Sequence, residues 1–433
     1  MLLGLACMGM APLALAADAD SQTLDFQAIA SPLDPGGELF LVVSARRWLD
    51  RSLATLASGK RGLPAGEAVE QETRQAIEQL RGVLARQGLS AWRGLGVSSV
   101  AHPDGRYATK VFLLRDAADA NLPLWRGGFG WLPRHLLSLD FVPAGFSVVR
   151  AGTFDPVALW KMLGDGVREA GTPAARQAFE QFSQSAQALL GIQIPDLLGS
   201  LRDEYLVALR FDETKEWALP GGGGVAIPVP SFLVVIGTGE EVLRGVVEMQ
   251  LSRLGLVLSE TQVAGVAMRS TETTIMPGTL PIQPSFASPS GFFIFGSSPQ
   301  IVEQALLASR HRHGLVTKGE FLNAFQGASM VNNGILYVDD KAAQIMRHGL
   351  ASLQELTPGG DCESLAAGRV QDAWRVLGGE SPACALVVQN WKNGVMIMGR
   401  SGVGGEAVLK QMALSALHWW TQLWHQTMSA ERM

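Results

Sequence analysis

The chain has 433 residues, of which 47% are hydrophobic and only 17% charged, with a mean hydropathy of +0.16. A disordered or fibrous chain is excluded, because such chains are too polar to bury the apolar surface that offsets ordering entropy. Forty acids against 35 bases leave a formal charge of −5, so no basic excess is present to neutralise phosphates, and nucleic acid is excluded as a partner. At roughly 100–200 residues per domain the length predicts two or three domains.

Residues 1–17 contain no charge, and fourteen of them are hydrophobic. They end in Ala14-Leu15-Ala16, the small-x-small pattern of a signal-peptidase site, and Asp18 and Asp20 follow. We expect a signal peptide over 1–17 and a periplasmic or cell-envelope location. A basic n-region is missing, which places the expected start a few codons upstream of Met1. Cys7 follows Gly4-Leu5-Ala6, which departs from a lipobox, so lipidation is not expected. No later apolar run reaches the ~20 residues that a membrane span needs. After cleavage Cys362 and Cys384 remain as a candidate disulfide, with two buried free thiols as the alternative.

In chain order, Glu38–Ser44 is a short apolar strand and Arg46–Leu56 has helical spacing. Gln75–Arg86 is an amphipathic helix ending at Gly88, and 97–114 is a hairpin turning at Asp104-Gly105. His102 and Asp104 read as turn chemistry. About 105 residues after the first strand comes Ala144–Arg150, then an Asp155-Pro156 helix start with helical spacing over 157–167. A second amphipathic helix, 179–190, ends at Gly191 and leads into strand Glu204–Arg210. Strand, helix, helix, glycine and strand thus occur twice at a period near 105, which predicts internal duplication.

The composition breaks at 219–230, a Gly/Pro-rich loop or linker that separates an N-terminal region, 18–218, from a C-terminal one, 231–433. Its Gly221–Gly224 run lacks the Lys-Ser/Thr of a phosphate loop. Beyond it we expect strand 232–237, helix 240–254, strand 264–270, a Pro-rich connection, strand 291–296 and helix 300–308. A short helix or turn at 318–325, strand 334–338 and helix 341–353 follow, then a hairpin of 383–389 and 394–399 that turns at 392–394. The final helix covers about 405–428, with Trp419, Trp420 and Trp424 as a candidate interaction face. The fold class is α+β, with mostly antiparallel sheets packed against helices.

Three segments carry a resemblance: 94–100 with Asp104-Gly105-Arg106-Tyr107, Gly291–Leu306, and Gly334–Asp339. They resemble a loosely defined group of large exported bacterial proteins of unknown function, common in the Planctomycetes–Verrucomicrobia lineage. The resemblance implies an envelope location and a repeated α+β build. It implies no functional residue.

No constellation for chemistry emerges. Gly399–Val403 misses the last glycine of a nucleophile elbow, and the seven histidines lack metal-ligand spacing. His311-Arg312-His313 reads as a solvated basic turn. The acidic pairs Asp203-Glu204, Glu240-Glu241 and Asp339-Asp340 are adjacent in sequence, so on a strand their members point to opposite faces. Asp339-Asp340 reads as a helix cap. The scattered tryptophans, Trp131 and Trp160 among them, read as core. No catalytic, cofactor or metal residue is assigned. The expected function is binding or scaffolding by a non-enzymatic envelope protein whose partner is an envelope protein or an apolar ligand. A periplasmic carrier of an apolar ligand or lipid is the alternative. An enzyme of unrecognised type is the third, marked by a cleft gathering residues such as His135, Asp140 and Arg150.

Overall fold

A computed structural model of the chain describes residues 19–45, 75, 78–79, 81–218, 226–239, 241–276, 280–345, 384–402 and 404. The expected signal peptide over 1–17, Cys7, Cys362 and the expected helix bearing Trp419, Trp420 and Trp424 lie outside the described residues. Thirteen strands form one sheet, and every neighbouring pair runs antiparallel. With the helices packed against it the class is α+β.

The strands are β1 (Leu39–Ser44), β2 (Trp92–Ala101), β3 (Tyr107–Arg115), β4 (Val148–Thr153), β5 (Leu201–Ala218), β6 (Ala226–Thr238) and β7 (Leu258–Val263). They continue with β8 (Val266–Thr271), β9 (Ser285–Ala287), β10 (Phe292–Gly296), β11 (Gly334–Val338), β12 (Cys384–Trp391) and β13 (Gly394–Ser401). Across the sheet the order is β1-β2-β3-β13-β12-β11-β4-β5-β6-β10-β9-β8-β7. The C-terminal strands β11–β13 thus sit between β3 and β4, and the regions on either side of 219–230 share one sheet. β5 and β6 pair directly, and 226–230 form the start of β6. Its Pro228 and Pro230 fit there because β10 reaches only to Leu233, so no strand asks for their missing N–H groups.

One connection recurs. β1 leads across 45–91 to the β2–β3 hairpin, β4 leads across 154–200 to β5–β6, and β11 leads across 339–383 to β12–β13. In each case the first strand pairs with the first strand of the hairpin. Antiparallel sheets favour such connections whatever their ancestry, so this topology does not establish duplication.

Helices lie on both faces. α1 (Ala19–Ala30) packs Ile29 onto Gly94 and Gly96 of β2, where an added Cβ would come within 2.3 and 2.5 Å of Ile29. On the same face, further along the sheet, α7 (Pro299–His311) buries Ile301, Val302, Ala305 and Leu306, joined by Phe321 of α8 (Gly319–Ala324). The 3-10 turn Leu137–Phe141 completes that core with Leu139, Phe141 and nearby Val142. The opposite face carries α2 (Pro123–Phe129), whose Leu124 and Trp125 cover Leu95, Val111, Leu113 and Val395. It also carries α6 (Val242–Arg253), which packs through Leu251 onto Phe286 and Phe293. Between β4 and β5 the chain forms α3 (Pro156–Ala170), α4 (Pro173–Leu190) and α5 (Ile194–Ser200). Asp155 caps α3 through the Ala158 N–H at 2.8 Å, and Gly191 ends α4 at φ +70°.

Candidate functional site

The most elaborate polar arrangement gathers where β4, β5, β11 and β12 meet the loop after α2. Gly130 ends α2 at φ +70°, and an added Cβ would lie 2.1 Å from Thr153 Oγ1, so the position requires glycine twice over. Arg134 and Asn332 exchange backbone hydrogen bonds at 3.0 and 2.9 Å. Asn333 Nδ2 donates to the Trp131 carbonyl at 2.7 Å, and its Oδ1 accepts from the Asn390 N–H at 2.6 Å. Asn390 Nδ2 closes the circuit on the Gly130 carbonyl at 2.7 Å. These buried amide side chains tie the loop to β12 and to the residue that precedes β11.

Asp203 and Glu204 join the same site, against the expectation that neighbours on a strand point apart. Arg134 Nη2 lies 2.8 Å from Asp203 Oδ1 and 3.3 Å from Glu204 Oε2. The reason is a register shift in the β5–β6 ladder between Leu201 and Tyr205, which breaks the two-residue alternation at this point. Glu204 is buried and also accepts the Ser138 N–H at 2.5 Å, while Asp203 stays partly open to solvent. The carboxylates are thus occupied in holding Arg134 and Ser138.

What this framework holds out is apolar. Trp131 is 46% exposed and Leu132 73%, with Leu137 and Val331 exposed in the segments flanking the Arg134–Asn332 bridge. The core reading of Trp131 is corrected: Gly130 turns the chain outward, and the ring finds its contact at the surface. The Arg126 guanidinium stacks 4.0 Å from the ring centroid, and its Nε pairs with Asp155 Oδ2 at 2.6 Å. Trp92 and Trp125, by contrast, are buried. Burial pushes the Arg115 guanidinium, 5.1 Å from the Trp125 ring centroid, down to about 10.

The other sequence-derived candidates fall apart. Arg150 shares a sheet face with Leu336, whereas the 3-10 turn holding Asp140 covers the opposite face through Val149 and Ala151. His135 is exposed, so His135, Asp140 and Arg150 line no common cleft. Asp104 accepts the Arg106 N–H at 3.1 Å within the β2–β3 turn, and Asp339 caps the following helical turn through the Ala342 N–H at 2.7 Å. Cys384 is a buried free thiol, which burial pushes up to about 12. Among the described residues no group of three or more His, Cys, Asp or Glu could hold a metal, and no helix is long and apolar enough to cross a membrane. An open groove of about 230 Å³ between α3 and α4 presents Val167 and Phe179 between Arg168 and Arg176. It falls below the ~300–1,000 Å³ of typical small-molecule sites.

No family model, no curated protein and no solved structure matches this chain.

Proposed function

We propose that the chain is a non-enzymatic protein of the bacterial cell envelope, exported by residues 1–17, that acts by binding or scaffolding through the Trp131–Leu132 tip. The observation that carries this reading is the exposure of two large apolar side chains on a loop fixed by the Gly130–Asn390–Asn333 circuit. Binding hot spots favour rigid aromatic anchors, because little conformational entropy is then lost on association. The partner would present an apolar segment. The recurring strand–excursion–hairpin connection is read in the same account as repeated modules of one scaffold.

The test is site-specific photo-crosslinking from position 132 in the native host, with position 163 on α3 as the control. The reading expects adducts to a defined envelope protein that are lost in Trp131→Ala. Equal labelling from both positions would contradict it, as would robust turnover abolished by a single polar substitution.

The second reading is a periplasmic carrier of an apolar ligand or lipid; the open α3–α4 groove, with Val167 and Phe179 in its lining, is too small to enclose such a ligand and would take only part of an apolar chain. Native mass spectrometry of protein purified from the host distinguishes the two, since a carrier retains a bound small molecule and a tip-binding scaffold does not.

A further inference from the structure

An open sheet has edges, and exposed edges invite pairing unless something blunts them. Four stretches of edge backbone six residues or longer lack a neighbouring strand among the described residues. Beyond Leu209, where its pairing with β4 ends, β5 carries Asp212, Glu213, Lys215 and Glu216. On β6, beyond Leu233, stand Pro228 and Pro230. β7, at one end of the sheet, carries an exposed Glu260 among Ser259, Thr261 and Gln262. β1, at the other end, reads Leu-Phe-Leu-Val-Val-Ser and has no charge, no proline and an unbroken register with β2.

The surface beside β1 is apolar too. Phe40 is 41% exposed on the sheet face that α1 covers, and α1 carries one exposed apolar side chain on each flank of its buried Asp25–Ile29 line, Leu24 on one and Phe26 on the other. We infer that β1 pairs antiparallel with β1 of a second copy, joining two sheets across a two-fold axis. Antiparallel pairing of a strand with itself is self-complementary by symmetry. Of the four stretches, only β1 and the proline-bearing β6 could be apposed to themselves without setting like charges near one another, and the prolines remove donors from β6. A six-residue seam is about 20 Å long. With Phe40 and one flank of α1 doubled by the two-fold, the buried area is below about 1,000 Å², in the range of weak, transient interfaces. A reversible, concentration-dependent dimer follows.

Sedimentation velocity of the processed full chain from 1 to 200 μM, on the order of the range where weak interfaces titrate, tests this. The inference expects the mass to rise toward twice that of one chain. Phe40→Lys, which sets two ammonium groups near the axis, should stay at the mass of one chain throughout while its circular dichroism and melting match the parent. Should Phe40→Lys fail to fold, the double variant Leu24→Glu/Phe26→Glu, which charges both flanks of α1, serves the same purpose. A parent chain that remains single at all concentrations overturns the inference, including the case in which β1 amides are already protected from exchange by the chain itself. Undiminished association of both charge variants overturns it as well.

Discussion

Two helices of similar amphipathic sequence meet opposite fates. α7 spans 13 residues and buries Ile301, Val302, Ala305, Leu306 and Ala308 against the sheet. α4 spans 18 residues and buries none, leaving Phe182 at 57% and Leu189 at 61% exposed. The difference lies in what each helix finds beneath it. α7 rests on Gly296, whose missing Cβ admits Ile301 and Val302, and on a floor of small and branched side chains such as Ala208, Val235 and Ile294. α4 stands on α3, chiefly through the stacking of Phe179 on Trp160 at 5.1 Å. An apolar stripe records that a helix has an inner side, not how much lies there to cover it.

Substitutions can sharpen that contrast. Ile301→Ala, at a fully buried site, should cost about 3 kcal/mol in denaturant unfolding. Gly130→Ala meets both the left-handed backbone and Thr153, and should cost roughly 2 kcal/mol while speeding amide exchange in 131–138 more than in α7. Cys384 carries the test to a second buried patch, beside Val338, Ala342 and Ala343. Its thiol titrates near 9.0 when solvated and near 12 when folded. The stability it contributes is complete below pH 9 and is lost as pH rises toward 12, because the unfolded chain releases the proton first. At pH 10 the loss is on the order of 1 kcal/mol. Cys384→Ala should flatten the fall of melting temperature between pH 9 and 10. An unchanged slope would show that the thiol is open to water in solution. Smallest of all, Phe182→Ala on α4 should change stability by about 0.5 kcal/mol or less. A cost comparable to that of Ile301→Ala would show that α4 is covered in solution.

Much of the fold was legible in the sequence because it rests on local chemistry. Asp104-Gly105, Asp155-Pro156, Gly88 and Gly191 each mark a turn or helix end, and the structure places all four as read. Elements whose signals are weak escaped. β8 was expected over 264–270, but β7 was not, because the turn between them is Ala264-Gly265 with φ of +55° and +83°, a conformation that Asn-Gly announces and Ala-Gly does not. α1 was hidden because its dominant contact, Ile29 on Gly94 and Gly96, exists only once β2 is in place. The polar site was illegible for a related reason. Arg134, Glu204, Asn333 and Asn390 lie far apart in sequence, and a ladder irregularity overturns the alternation that separates Asp203 from Glu204. Gly130 before Trp131-Leu132 is the nearest local signal of the tip, but exposure is not written in it, and a lone tryptophan reads first as core.

The central claim is that this tip is held rigid before any partner arrives. Amide hydrogen exchange of the isolated protein tests it most directly. The account predicts that the amides of Arg134, Ser138, Asn332, Asn333 and Asn390, each hydrogen-bonded in the structure, exchange as slowly as those of β4 and β11. Exchange of these amides at the rate of an unstructured chain, with β4 and β11 still protected, would contradict it.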